Sequence, residues 1–296
     1  MTSQQLDTPY GSINLYLQSK DAEISTGSNN ANKTWYLNTP INSPRPDVRM
    51  LASVTDFQAA YSWYIIREGV NDKFCWSDAP FGAASKQTAT IPQGNYNATT
   101  FMNKLNTLII AALGGTANRI SYDKTTNKYS YTAVTPSNEV IIYSKDNGTT
   151  CDTEIGMEGS DDKSDAAGVT FPFMVDFAGI PYLYVIGKTL GLENRDSKGD
   201  INLTLAKVPV TCQPLGFIYM PSGSFVYLHL SDREIRKLQI VIEDGDGNEI
   251  NFNGVGWGLT MSIHFQYQRF PEKPKLSLDH PYLQEDPPEP KKSNNK

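Results

Sequence analysis

The sequence lacks several features that would define its class at once. The longest apolar run, Leu108 to Leu113, falls far short of the roughly 20 apolar residues that a membrane helix needs. Residues Met1 to Gln5 carry no charged or apolar leader, so we expect no signal peptide. No basic run is longer than Lys291-Lys292 and the net charge is −6, which argues against a nucleic-acid binder. We therefore expect a folded soluble protein with no membrane span.

Cysteine is scarce. The three cysteines, Cys75, Cys151 and Cys212, are odd in number and widely spaced. A disulfide framework needs paired cysteines in an oxidising compartment, so this usage indicates free thiols and a reducing environment.

Metal and phosphate motifs occur only as fragments. Asp244-x-Asp246-x-Asn248 starts like a calcium-binding EF-hand loop, but Glu249 and Val255 stand where that loop needs glycine and glutamate. The segment instead predicts a hairpin turn rich in Gly and Asn.

Nucleotide-binding and nucleophile motifs are incomplete as well. Gly187-Lys188-Thr189 resembles the end of a phosphate-binding loop, yet Tyr182 replaces the glycine that the loop requires. Gly254-x-Gly256-x-Gly258 precedes a predicted strand, so no helix N-terminus is available for a pyrophosphate. Gly-x-Ser-x-Gly is absent, which leaves a nucleophile elbow without support.

The remaining titratable residues show no ligand spacing. A zinc site needs three or four convergent ligands, and the histidines stand apart from one another and from the cysteines. The carboxylates near residue 162 lie in a polar segment typical of a solvated loop. We predict that the protein is not an enzyme, with no catalytic, cofactor-binding or metal residues and no cofactor. The residues weighed are His229, His264, His280, Asp161, Asp162 and Asp165.

The sequence is rich in patterns of period two, which are typical of strands with one buried face. Leu238, Ile240 and Ile242 share one face of a strand. In the final strand the apolar face alternates with a polar one; the apolar residues are Leu259, Met261, Ile263, Phe265 and Tyr267, and the polar ones are Thr260, Ser262, His264, Gln266 and Gln268. About ten or more such strands, separated by turn residues, predict an all-β protein with a single jelly-roll sandwich.

One helix is expected, in a loop that connects strands. Residues Ala98 to Leu113 place Phe101, Leu105, Leu108 and Ala112 on one face. Asn97 or Thr99 can cap its start, and Gly114-Gly115 ends it.

Composition divides the chain into segments. Residues 1–10 form an N-terminal arm and 11–269 the jelly-roll domain. Within it, residues 145–170 are polar and acidic and predict an exposed loop or a small insertion. Residues 270–296 hold six of the 18 prolines and little to bury, which predicts an extended tail.

Several segments, in this order, resemble one protein family. They are Ile13-Asn14-Leu15-Tyr16-Leu17, Trp35-Tyr36-Leu37-Asn38, Gln58 to Ile65, Ile91 to Tyr96 before a helix, Ile120-Ser121-Tyr122-Asp123, and Ile240 to Gly254 before a strand that bears Trp257. The chain resembles the penton or minor capsid proteins of virophages, polinton-like viruses and related large DNA viruses over most of residues 11–268.

The resemblance implies a single jelly roll that forms a homopentamer at icosahedral vertices, beside a double-jelly-roll major capsid protein. It implies location in the virion, after assembly in the host cytoplasm. Two alternatives stay open: another minor capsid protein that cements capsomers, and a jelly roll that binds a glycan or host receptor. A hydrolase on a β scaffold would need convergent His, Asp and Glu residues, which the pattern lacks.

Overall fold

A computed structural model describes residues 9–157, 159, 162–192, 202–220 and 226–267. The predicted C-terminal tail at 270–296, most of the predicted N-terminal arm and His280 lie outside these residues. The described part is mostly β, as the sequence predicts, with strands in several antiparallel sheets. None of its helices is long and apolar enough to cross a membrane.

The strands and helices have the following bounds, in chain order. The first strands are β1 (Pro9–Gln18), β2 (Ile24–Thr26), β3 (Asn32–Asn42), β4 (Val48–Ala60), β5 (Lys73–Pro80) and β6 (Gln87–Thr90). After helix α1 (Ala98–Leu113) come β7 (Ile120–Asp123), β8 (Lys128–Thr132), β9 (Asn138–Ile142), a 3-10 turn (Lys145–Asn147), α2 (Asp152–Ile155), β10 (Lys163–Ala166) and β11 (Gly168–Thr170). The last strands are β12 (Tyr182–Gly187), β13 (Thr204–Pro209), β14 (Phe217–Met220), β15 (Leu228–Leu230), β16 (Glu234–Glu243) and β17 (Trp257–Tyr267).

Two of the sheets form a jelly roll. One has the order β1-β17-β4-β14, with β15 also paired to β4, and we call it the outer sheet. The other has the order β13-β12-β16-β3-β2. Along the sequence the chain crosses repeatedly between the two sheets, and the first and last strands, β1 and β17, are neighbours, as in the Greek-key arrangement of a jelly roll. The predicted fold class is therefore confirmed.

The predicted strand faces are confirmed where the two sheets meet. Leu238, Ile240 and Ile242 are fully buried, and so are Met261 and Ile263. Aromatic side chains also pack in this core. Trp257 lies edge-on against Trp35, with ring centroids 5.9 Å apart. A core lined by alternate residues of both sheets is what holds a sandwich together.

The segment from β16 to β17 forms no simple hairpin. The segment around Asp244 predicts a hairpin that closes the jelly roll, and a single bridge between Glu243 and Glu249 does close the turn. Beyond this bridge the two long strands separate, since β16 pairs with β12 and β3 while β17 pairs with β1 and β4. Their apolar faces look alike in sequence because both sheets turn one face to the same core.

A second lobe is inserted between β4 and β12. Strands β5 to β11 and both helices lie in it, and its hydrophobic cluster is separate from that of the sandwich. It is built around Phe74, Trp76, Phe101, Tyr129 and Phe171, all fully buried. We call residues 66–177 the inserted lobe. The predicted domain bounds of 11–269 stay a prediction, but the residues within them pack about two clusters.

The segment at 145–170, for which the sequence predicts an exposed loop or a small insertion, contains both exposed and buried residues. Cys151, Asp152 and Ile155 are buried, and β10 and β11 pair with β9 and β8 of the lobe. Short strands at a sheet edge bury few side chains, so their sequence can stay polar. The segment lies within the inserted lobe.

Helix α1 has the predicted bounds. Asn97 is the cap, since its Oδ1 accepts hydrogen bonds from the N–H groups of Thr99 and Thr100 at 3.0 and 2.9 Å. Phe101 and Leu105 of the predicted face are buried in the lobe core. Gly114 follows the helix with a φ of 75°, a backbone conformation that glycine adopts without strain.

Candidate functional site

The turn after β16 is organised by Asp244, the first residue of the calcium-like fragment. Its Oδ1 accepts hydrogen bonds from the N–H groups of Asp246 and Asn248, both at 2.9 Å, and its Oδ2 accepts one from Arg67 at 2.7 Å. Burial opposes the charge, but the bonds from Asn248 and Arg67 outweigh it and hold the pKa of Asp244 below its usual value. The carboxylate therefore stabilises the turn and forms an ion pair with Arg67.

The two glycine motifs also have structural roles. Lys188 pairs with Glu243 at 3.0 Å, and the Thr189 hydroxyl donates to the carbonyl of Lys237 and accepts from the N–H of Gln239. Both contacts tie the end of β12 to β16. A Cβ at Gly258 would lie 3.1 Å from the side-chain amides of Gln18 and Gln58, so glycine lets those side chains cover the strand.

The structure separates the histidines that it describes. His229 is exposed on β15, while His264 on β17 lies 3.2 Å from the Ser53 hydroxyl. Burial lowers the pKa of His264. Among the described residues, no group of three or more His, Cys, Asp or Glu side chains is arranged to hold a metal ion.

The cysteines and loop carboxylates are dispersed. All three cysteines are free thiols, and burial raises the pKa of Cys151 well above its usual value, which disfavours the nucleophilic thiolate. Asp162 accepts hydrogen bonds from the N–H of Ser144 and the amide of Asn147, so it holds its own segment together. Asp165 is exposed, and Asp161 lies outside the described residues.

A cleft of about 520 Å³ lies where the inserted lobe meets the sandwich. The lobe contributes Asp152 and Glu154 of α2, and the sandwich contributes Tyr184 of β12 and the turn from Asp244 to Asn248. The two chain connections between lobe and sandwich, near Ile65 and Gly179, also line it. Sequence analysis did not find this cleft, because its walls come from four distant segments.

A polar network crosses the cleft. Asn71 donates to Glu154 and to the carbonyl of Ile65, and it accepts from the N–H of Arg67, whose side chain reaches Asp244. Burial raises the pKa of Glu154 to about 7, and the nearby Asp152 adds to the rise. The network therefore carries a carboxyl group that titrates near neutral pH.

The outer sheet exposes aromatic rings on the face turned away from the core. Phe217 and Tyr219 of β14 point outward on either side of the buried Ile218, and they are 62% and 57% exposed. Tyr16 of β1 is 75% exposed and pairs with Thr260 on the polar face of β17. Tyr227 is half exposed and packs edge-on against His264, with ring centroids 4.9 Å apart. We call these four side chains the aromatic surface.

This surface adjoins an open sheet edge. Within the described ranges β1 pairs with β17 alone, and its sequence contains no charged residue. Edge strands of stable monomers are commonly protected by charges or by a covering segment. Exposed rings beside an edge strand that carries no charge are typical of a surface that contacts another polypeptide.

These features define an antiparallel β-sandwich protein whose exposed rings and open edge suit protein contacts. No family model and no curated protein matches the chain. Among solved structures it is similar to the crystal structure of the selenomethionine-labelled mavirus penton protein. That similarity has a TM-score of 0.47 and 11% sequence identity, and it covers 87% of this chain and 100% of the other.

Proposed function

We propose that the protein is a viral capsid protein, and more specifically a penton that forms a homopentamer at icosahedral vertices. The observation that carries the proposal is the aromatic surface on the outer sheet of a jelly roll. Jelly rolls with these two sheets serve as capsid domains, and large exposed rings are enriched at protein interfaces. The ordered sequence motifs that resemble penton proteins support the same reading.

A closed ring requires two different patches on each subunit. In a head-to-tail interface the surface of one copy meets a different surface of the next, and five such contacts close when the rotation fits. The aromatic surface with the edge strand β1 supplies one such patch. The proposal includes contact with a double-jelly-roll major capsid protein, location in the virion, and assembly in the host cytoplasm.

The mass of the purified full-length protein tests this proposal. Light scattering after size exclusion is expected to give five times the monomer mass, and a strict monomer at high concentration contradicts it. The double variant Phe217→Ser and Tyr219→Ser is expected to weaken association by tenfold or more, since removing interface anchors typically costs about 2 kcal/mol or more. Phe81→Ser is the matched control, because Phe81 is 82% exposed and belongs to the inserted lobe.

Two other roles fit the same surface. Another minor capsid role would give a different copy number in the particle, which quantitative mass spectrometry of virions measures. A glycan or host-receptor role is favoured by the exposed rings of Tyr16 and Tyr227, because aromatic faces stack on sugars. A glycan array that shows no binding removes the glycan role, and binding lost in Tyr16→Ser supports it.

A further inference from the structure

The cleft between lobe and sandwich contains a buried carboxylate without a partner. Asp152 lines the cleft and is only 5% exposed. No hydrogen bond or ion pair joins its side chain to another residue in the part of the chain that the structure describes. The carboxylate oxygens are open to the cleft, so a ligand that supplies a hydrogen-bond donor or a positive charge can reach them.

The other charges in the cleft do not supply this partner. The Arg67 guanidinium is already paired with Asp244 at 2.7 Å. Lys145 is exposed at the rim. Asp176 of the lobe and Asp246 of the sandwich turn are exposed and add further negative charge. The cleft therefore has an excess of carboxylates over cations.

Aromatic rings form one side of the same cleft. Tyr182 and Tyr184 of β12 line it, and the Lys207 ammonium lies 3.8 Å from the centroid of the Tyr182 ring and 5.6 Å from that of Tyr184. The faces of these rings thus already attract a cation within the protein. A second cation could approach Asp152 from the open side, with its stem against the ring of Tyr184.

We propose that this cleft binds an organic cation, an ammonium or guanidinium group carried on an aliphatic stem. The volume of about 520 Å³ lies within the usual range for small-ligand sites. A metal ion fits less well, since no group of metal-ligating side chains converges there among the described residues. The cation can come from a free amine or from a basic side chain of another polypeptide. This binding site is independent of the capsid role.

The charge of the cleft depends on pH through Glu154, which faces Asp152, Arg67 and Asn71. Burial raises the pKa of Glu154 to about 7, so the group gains its negative charge as the pH rises from 6 to 8. A bound cation stabilises the ionised form. We therefore expect tighter binding at pH 8 than at pH 6, by several-fold.

The test is a titration of butylguanidinium into the full-length protein at pH 6 and at pH 8, in which saturation-transfer NMR measures binding. Its neutral analogue butylurea has a similar shape and no charge. Binding of butylguanidinium but not of butylurea, tighter at pH 8, supports the proposal. A blocked Gly-Arg-Gly peptide is titrated in parallel, and whichever of the two binds more tightly identifies the source of the cation.

Substitutions locate the site. Asp152→Asn is expected to weaken butylguanidinium binding about tenfold, as loss of a charge-assisted contact does. Asp165→Asn is the control, because Asp165 is exposed outside the cleft and should leave binding unchanged. If Asp152→Asn does not fold, Asp246→Asn on the opposite wall is expected to weaken binding several-fold. Equal binding of butylurea, unchanged binding in the variant that folds, or calcium binding in place of butylguanidinium overturns the proposal.

Discussion

At the scale of single residues, buried polar groups join parts of the protein that the sequence leaves far apart. Arg67 and Asp244 are separated by 177 residues and form an ion pair between the first lobe connection and a turn of the sandwich. Asn71 continues the contact to Glu154 of the lobe. Each of these side chains looks like an ordinary surface residue in the sequence, because nothing nearby in the chain identifies its partner.

Glu154 makes a pH-dependent contribution to stability. Its pKa is raised from 4.5 to about 7 in the folded protein, so the folded state binds its proton more tightly than the unfolded state does. The resulting stability is fully present below about pH 4.5 and is lost as the pH rises through 7. The shift corresponds to about 3 kcal/mol of unfolding free energy.

Urea unfolding of the wild type and of Glu154→Gln between pH 5 and pH 8 measures this contribution. Glutamine can still accept the hydrogen bond from Asn71 but does not ionise. The wild type is expected to lose about 2 kcal/mol relative to the variant over this range. If the unfolding free energies of the two proteins change with pH in parallel, the pKa of Glu154 is the same in the folded and unfolded states, which contradicts the prediction.

At the scale of elements, local signals specified some segments and not others. Helix α1 was predictable because its cap, its apolar face and its final glycines are all neighbours in the chain. Strand β5 was missed, although it holds Phe74 and Trp76 of the lobe core. It lies between β6 and β9 and is buried on both faces over Phe74 to Ser77, so the alternation that marks a half-exposed strand is absent.

The length of strand β3 depends on its partner strand, β16. Thr39-Pro40 suggests that the strand ends there, yet β3 continues to Asn42. The pairing with β16 shifts register between Ile235 and Lys237, so residues opposite this shift leave the ladder and rejoin it. Proline lacks an N–H group and is tolerated in a strand at such a bulge.

The capping box of α1 contributes measurably to stability. Asn97→Ala removes the acceptor for two N–H groups of the first helical turn, and we expect it to lower the unfolding free energy by about 1 kcal/mol. Asn103→Ala is the control, since Asn103 is exposed within the helix and alanine favours helix. Thermal or urea unfolding compares the two, and an equal effect of both changes would contradict the role of the cap.

At the scale of the whole molecule, a jelly roll carries a lobe with its own core. The lobe enters and leaves the sandwich at neighbouring points, since a Cβ at Gly179 would lie 3.6 Å from Ile65 Cγ1. Trp63 anchors the entry point against the sandwich core, where its ring is 5.8 Å from that of Phe252. An insertion with adjacent ends need not disturb the host fold.

Removing the lobe should therefore leave a folded sandwich. We expect replacement of residues 66–178 by a short Gly-Ser linker to give a β-rich protein that unfolds cooperatively, with an unfolding free energy of about 5 kcal/mol. Full-length Trp76→Phe is the control, because it leaves both proteins with the same three tryptophans, Trp35, Trp63 and Trp257. Circular dichroism and tryptophan fluorescence in urea measure the outcome, and a shortened protein without a cooperative transition contradicts it.

The sequence by itself determined the β class, the buried faces of β16 and β17, and α1 with its cap, because these depend on period and on neighbours in the chain. It also favoured a jelly roll through the number and spacing of its strands. Only the tertiary structure decided that β16 and β17 belong to opposite sheets, that residues 66–177 pack about a core of their own, and that Asp152, Glu154 and Asp244 share a cleft. These outcomes depend on contacts between distant segments, and period or local composition does not encode which distant segments pair.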